Sequence, residues 1–319
     1  MDKKFDGWPH VIESQQFSRE WLEQYFFPFS RRMENIFKHG GSEILRKKRM
    51  ISFFYERSTR TRLSFQMAMS ILGGEVPFTT EDARKFSSVS KGESFVHTIR
   101  MLNIYCPDVI VLRCDNEGGA KIASEISNVP IINAGDGQGQ HPTQALLDIF
   151  TIQKRFGRID GLSIAMVGDL IYGRTVRSLS YLLGKFSNIR IYFISPKQAR
   201  IKKDIKDYLD RHNIWFQEGD DLRKVAPIID VCYQTRTQKE RGGVINRNDE
   251  KQGFFIIDND VADSMQEGAI IMHPLPIDEK DQEIRPEVEN NPRAVYLTDQ
   301  VKSGLFTRMA ILSMLLADA

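Results

Sequence analysis

Cysteine is scarce in this chain of 319 residues: there are three, Cys106, Cys114 and Cys232. Their spacing is unpaired, which excludes a disulfide framework or a zinc site built from them alone. Long apolar runs are also missing. No segment approaches the roughly 20 residues of a membrane-spanning helix, and Met1-Asp2-Lys3-Lys4-Phe5 has no apolar core of a secretory signal. Neither sign of charge dominates. Lys+Arg 44 against Asp+Glu 42 leaves a formal charge of +2, so a general nucleic-acid or membrane surface is not expected, and any cationic site must be local. Glycine falls in the wrong places for a nucleotide fold: Gly135, Gly137 and Gly139 lack the third spacing of a dinucleotide fingerprint, and no Walker A loop is present. Nicotinamide and ATP are therefore disfavoured. There is no internal repeat and no low-complexity segment. What remains is an ordinary balance, 41% hydrophobic and 27% charged, in a chain long enough for two domains. A cytoplasmic enzyme is the expectation.

The most informative stretch is Ser58-Thr59-Arg60-Thr61-Arg62. An apolar run, Met50 to Phe54, precedes it and reads as one buried strand. Behind it, Leu63, Met67 and Ile71 recur at helical spacing beside Ala68 and Leu72, and Gly73-Gly74 closes the helix. The pentapeptide is thus a strand-to-helix turn with Ser58 as N-cap. Free first-turn amides, the positive dipole end, two hydroxyls and an arginine converge there, which suits an anion such as phosphate. Capping alone explains the serine equally well, and the arginines then simply face water.

The rest of the chain alternates strand and helix. Residues 11–48 look helical, Glu75 to Glu93 reads as one long polar loop, and a helix follows from Ser94 to Tyr105. Asp108–Leu112 is a strand ending at Arg113, Ala120–Ile126 a helix, and Val129–Asn133 a strand. A helix then starts at His141-Pro142-Thr143-Gln144. The pattern restarts with strands at Leu162–Asp169, Ile189–Ile194, Ile228–Tyr233, Phe254–Ile257 and Ala269–Met272, helices from Arg174 and over Ile201–His212, and a last helix from about Lys302. Alternation of this kind predicts parallel α/β sheets. Arg60, Arg113 and His141 fall just past the C-terminal ends of their strands, where open α/β sheets bind ligands.

Taken together, Ser58-Thr59-Arg60-Thr61-Arg62, His141-Pro142-Thr143-Gln144 and His273-Pro274-Leu275-Pro276 resemble the aspartate/ornithine carbamoyltransferase family. Phe54-Tyr55-Glu56, Lys91-Gly92-Glu93, Gly168-Asp169-Leu170, Tyr172-Gly173-Arg174 and Gln238-Lys239-Glu240-Arg241 extend the resemblance in order over nearly the whole chain. It implies two parallel-sheet α/β domains with the active site in the cleft between them and a C-terminal helix returning to the first domain. Residues 1–146 and 302–319 would bind carbamoyl phosphate, and 147–301 the acceptor. By the same resemblance Ser58, Thr59, Arg60, Thr61 and Arg113 hold the phosphate. His141, Arg113 and Thr61 meet the carbonyl oxygen, and Gln144 with the backbone near Pro274 and Leu275 orients the carbamoyl NH2. Arg174, Arg236 and Gln238 grip the carboxylates of L-aspartate, and Glu56 pairs with Arg174 and Arg241 between domains. Ser87 and Lys91 reach in from a neighbouring subunit of a homotrimer, Lys91 acting in both catalysis and aspartate binding. No cofactor or metal is implied, and a regulatory chain is a further candidate partner.

Two departures stand out. Ile277 occupies the place of the family's usual arginine, and Glu283-Ile284 arrives after three extra residues; Arg57 stands where proline or a small residue is usual. The alternatives are a transcarbamoylase with another amine acceptor and a silent homologue serving as an assembly partner. Ornithine enzymes typically carry Ser-Met-Gly and His-Cys-Leu-Pro motifs, and this chain has neither.

Overall fold

The computed structural model describes residues 9–239 and 255–317. By its internal contacts the chain divides into two compact units, Met1–Phe150 with Lys302–Ala319, and Thr151–Val301. Each is built on one parallel sheet, as the alternating pattern requires.

In the first unit, β1 (Arg49–Phe54), β2 (Glu75–Thr80), β3 (Val109–Cys114) and β4 (Ile131–Asp136) lie in the order β2-β1-β3-β4, all parallel. β3 and β4 are buried at every residue and β1 at every residue after Arg49, which is why they read as unbroken apolar runs. The helices are α1 (Arg19–Trp21), running through a π turn at Leu22–Phe26 into α2 (Phe27–Lys38), α3 (Thr59–Ile71), α4 (Ala83–Phe86), α5 (Phe95–Ile104), α6 (Gly119–Ile126) and α7 (Pro142–Phe156). One apolar cluster of this unit gathers Ile51, Phe53, Ile110, Leu112 and Ile131 under Ile99 and Leu102 of α5.

Two expectations are corrected here. Helix in the 11–48 region is confined to Arg19–Lys38 and one 3-10 turn at Ser14–Gln16. The 75–93 segment is not one loop: it contains strand β2, helix α4 and a 3-10 turn at Ser88–Lys91. β2 is an edge strand with largely exposed side chains and a proline within it, so alternation is weak there. Helix α3 buries Thr61, Phe65, Ala68 and Met69, whereas Leu63 and Met67 are about half exposed (52% and 47%). Both stripes have helical spacing, and the sheet takes the one that buries the aromatic ring.

The second unit carries β5 (Ser163–Val167), β6 (Arg190–Ile194), β7 (Trp215–Gly219), β8 (Val231–Gln234) and β9 (Ile270–Met272), in the order β7-β6-β5-β8-β9. Its helices are α8 (Arg174–Leu183), α9 (Lys203–Arg211) and α10 (Asn259–Ser264), and α11 (Asp299–Leu316) then carries the chain into the first unit. β7 is another half-exposed edge strand that the sequence pattern does not signal. The expected strand Phe254–Ile257 is corrected as well. Phe254 lies outside the described residues, and Ile257 forms only an isolated bridge to Ile284. Ala165, Val167, Cys232 and Ile271 of this sheet pack with Val261 and Ala262 of α10, Ile284 and Tyr296. No described helix is long and apolar enough to cross a membrane.

Candidate active site

Strand order locates the sites. In the first sheet the chain steps from β1 outward to β2, then crosses back to β3 on the other side of β1 and on to β4, so the switch point lies at the C-terminal ends of β1 and β3. The Ser58 turn follows β1, and Arg113 stands directly beside Phe54 in the register of β1 and β3. Arg113 is therefore inside its strand, not past it as the sequence suggested. The Arg62 N–H makes the first bond of α3, to Ser58 O at 3.1 Å, so the amides before it point out of the helix end. Ser58 is the N-cap residue, but its side chain makes no capping bond, leaving the hydroxyl for a ligand. No acid lies in the first turn of α3, and Arg60 is exposed beside Thr59.

Carboxylates flank these cations. Arg113 is 9% exposed; its Nη1 donates to Ala134 O at 3.0 Å and its Nη2 meets Glu56 Oε2 at 3.1 Å. Glu56, expected to pair with Arg174 and Arg241, thus has a partner within its own unit; Arg241 lies outside the described residues. Glu81 accepts from the Thr59 hydroxyl at 2.8 Å and from Arg62 Nη2 at 3.2 Å. Arg57 is tied to Asp82 at 3.2 Å, so this unusual residue serves the chain that follows β2. His141 is buried ahead of α7, where its carbonyl accepts the N–H groups of Gln144 and Ala145 and its Nδ1 lies 3.4 Å from Thr143 Oγ1. Gln144, in the first turn of α7, donates from Nε2 to Asp148 Oδ1 at 3.0 Å.

Ser87 and Lys91 stand apart from this group. The Ser87 hydroxyl caps its own turn, donating to Ala83 O and accepting from the Val89 N–H. Lys91 ends the turn, exposed, with no hydrogen bond or ion pair among the described residues.

The second sheet has its switch point between β5 and β8. Their ends approach so closely that a Cβ on Gly168 would lie 2.3 Å from Thr235 O, at a φ of +107° that side chains rarely adopt. The next residue, Asp169, is fully buried. It accepts from the Tyr172 N–H at 3.2 Å and from the Gln238 N–H at 2.9 Å. One carboxylate therefore ties the turn leading to Arg174 to the segment carrying Arg236 and Gln238. The sequence offered Asp169 only as part of a motif; an aspartate at a strand end, followed by a turn, is the signal that could have given it this role. Arg174 is the buried first residue of α8, and Arg236 Nη1 donates to Thr237 O at 3.0 Å.

Leu275 completes the set through its backbone. It takes a φ of +58°, and its N–H donates to His273 Nδ1 at 2.7 Å. With Nδ1 accepting, Nε2 carries the proton and donates to Glu283 Oε1 at 3.0 Å. Glu283 also accepts from the Asp278 N–H, so the extra residues form a turn closed at its base by the histidine's partner. Ile277, standing for the usual arginine, packs against the apolar cluster of this unit. No cluster of metal-ligating side chains occurs among the described residues.

Comparison with known proteins matches two successive segments of the chain to one family. Residues 9–154 match the carbamoyl-P binding domain of the aspartate/ornithine carbamoyltransferase family, and residues 160–315 match its Asp/Orn binding domain. An aspartate carbamoyltransferase of Arabidopsis thaliana is 51% identical over 98% of this chain and 79% of its own length. The catalytic subunit of Methanocaldococcus jannaschii aspartate carbamoyltransferase is 46% identical over 97% of this chain and 98% of its own. The Trypanosoma cruzi aspartate transcarbamoylase, solved with carbamoyl phosphate and aspartate, superposes with a TM-score of 0.87 at 34% identity, covering 97% of both chains. The plant relatives also correct the cytoplasmic location expected from composition, since those at 48–51% identity are chloroplastic enzymes. Unpaired thiols separate reducing from oxidising surroundings and do not tell one reducing compartment from another.

Proposed function

The chain belongs to the aspartate/ornithine carbamoyltransferase family, and from that premise we infer that it transfers the carbamoyl group of carbamoyl phosphate to the amino group of L-aspartate. The products are N-carbamoyl-L-aspartate, a pyrimidine precursor, and phosphate. The observation that carries the reading is a pair of cation-lined switch points, one per sheet, each bearing the groups one anionic substrate needs.

In the first unit, the open end of α3 with Ser58, Thr59, Arg60, Thr61 and Arg113 takes the phosphate. His141, with Thr61 and Arg113, faces the carbonyl oxygen, where negative charge grows as the amine attacks. Preset donors of this kind are worth roughly 10²–10³ each in rate. Gln144 and the backbone at Leu275 hold the carbamoyl NH2. Arg174, Arg236 and Gln238 hold the dicarboxylate, which fixes the α-amine for attack. As the tetrahedral intermediate collapses, the C–O bond to phosphate breaks, and the departing phosphate accepts the amine proton. The binding role divides between residues 1–146 with 302–319 and residues 147–301. The exposed turn of Ser87 and Lys91 belongs, in this reading, to a neighbouring subunit's site in a homotrimer. The apolar side chains left exposed on α3 and β2, Leu63, Met67 and Phe78, support such an assembly. A regulatory chain is a further candidate partner.

The test is product identity. Incubation with carbamoyl phosphate and either L-aspartate or L-ornithine should give N-carbamoyl-L-aspartate and no citrulline. Citrulline as the main product, or no transfer to either amine, refutes the assignment.

A further inference from the structure

Gln144 and Asp148 stand one turn apart on α7, so their side chains share a face. Both are buried, Asp148 fully, and Gln144 Nε2 donates to Asp148 Oδ1 at 3.0 Å. The two ends of a primary amide are nearly the same size, and either can be turned to a ligand. An ionised carboxylate removes that freedom because it only accepts. Gln144 must give its NH2 to Asp148, and its carbonyl oxygen is then the end turned away.

Asp148 needs a counter-charge to stay ionised at zero exposure, and Arg308 of α11 is a buried cation near enough to feel its charge. Arg308 is 4% exposed, with its guanidinium 5.3 Å from the centroid of the Phe65 ring. It is admitted by Gly304, where a Cβ would come within 2.7 Å of Arg308 Nη1. Burial pushes the Arg308 pKa down to about 10, and the charge of Asp148 works against that fall. An arginine so deeply buried is a large expense for a helix-to-helix contact that apolar residues make as well.

We propose that Asp148, kept ionised by Arg308, is a positioning residue that presents the Gln144 carbonyl oxygen to the carbamoyl NH2, and so selects an amide-bearing over a methyl-bearing acyl phosphate. The proposal rests on the reading that carbamoyl phosphate binds beside Arg60, Arg113 and His141. Acetyl phosphate, with a methyl in place of the NH2, is the probe. The quantity measured is the ratio of its inhibition constant, in competition with carbamoyl phosphate, to the KM of carbamoyl phosphate.

In Asp148→Asn the facing amide both donates and accepts, so Gln144 can flip, and the ratio should fall about tenfold. That variant leaves Arg308 without its anion. The double variant Asp148→Asn, Arg308→Met removes both charges and should show the same fall. In a Gln144→Ala background the Asp148→Asn change should leave the ratio where it is, which a merely structural role does not require. A folded variant, judged by circular dichroism and its thermal transition, that discriminates as the unaltered enzyme does overturns the proposal and leaves the function intact. An unaltered enzyme that does not use carbamoyl phosphate overturns both.

Discussion

At the scale of single residues, the proposed acceptor site depends on a side chain expected to touch no substrate. Asp169 holds two backbone N–H groups from different segments, and no water reaches it to replace them. Removing a buried acceptor leaves each donor with a penalty of about 1–3 kcal/mol. Asp169→Ala should therefore loosen Gln238 and the turn before Arg174 together. We expect the KM for aspartate to rise at least tenfold while the KM for carbamoyl phosphate moves by less than about twofold, as read from initial rates with each substrate varied. An equal rise in both constants contradicts the division of labour between the sheets. Gly168 sets the same geometry by having no side chain, and the strand ends it brings together leave room for nothing larger.

At the scale of elements, the loop after β9 shows how an insertion is accommodated without losing a fixed point. Glu283 arrives three residues late, yet it still reaches His273, and the surplus residues leave as a turn in which Asp278 Oδ1 accepts the Lys280 and Asp281 N–H groups. Lys239, next to Gln238, forms ion pairs with Asp278 and Asp281 of that turn. Glu283→Gln keeps the shape but replaces one acceptor oxygen by a donor facing a donor. We expect it to lower kcat/KM for aspartate about tenfold, since the Leu275 backbone, at a positive φ, is tied to His273, which Glu283 holds in turn. Steady-state kinetics on a folded variant decide it, and an unchanged kcat/KM means that Leu275 is held by packing instead. The elements themselves differed in how well the sequence announced them. Central strands such as β3 and β5, buried on both faces, were legible as apolar runs, and so were the turns that follow them. The edge strands β2 and β7 were not, because half-exposed side chains and a proline erase the period. The buried face of α3 was not legible because two stripes satisfied one spacing. Among site residues, the cations were recognisable in their motifs. The acids beside them, Glu81 and Asp148, carry no motif of their own and become visible only as hydrogen-bond acceptors, and Asp169, although part of a motif, shows its role in the same way.

At the scale of the whole molecule, the exposed Lys91 turn leads to the assembly. If it completes a neighbour's site, two inactive variants should repair each other. Arg60→Ala chains keep Lys91 and Lys91→Gln chains keep Arg60, so in a mixed three-fold ring about one site in three is native. Activity should return after the two are dissociated and reassembled together, and stay below that of the unaltered enzyme. Hybrid rings that form and remain inactive refute the shared site. The path of the chain adds a matter of timing. The unit built on β1 to β4 is completed by a helix that follows the whole second unit: α11 brings Arg308 to Phe65 and Asp148, and the Ser313 hydroxyl to Met33. On the ribosome, the sheet assigned to carbamoyl phosphate emerges early, yet it must wait for Arg308 while some 150 further residues are made. The second unit, contiguous in sequence, can fold first. A chain stopped just before α11 would hold every residue assigned to chemistry and still lack the buried cation that faces Asp148, so synthesis through α11 is itself a checkpoint on activity.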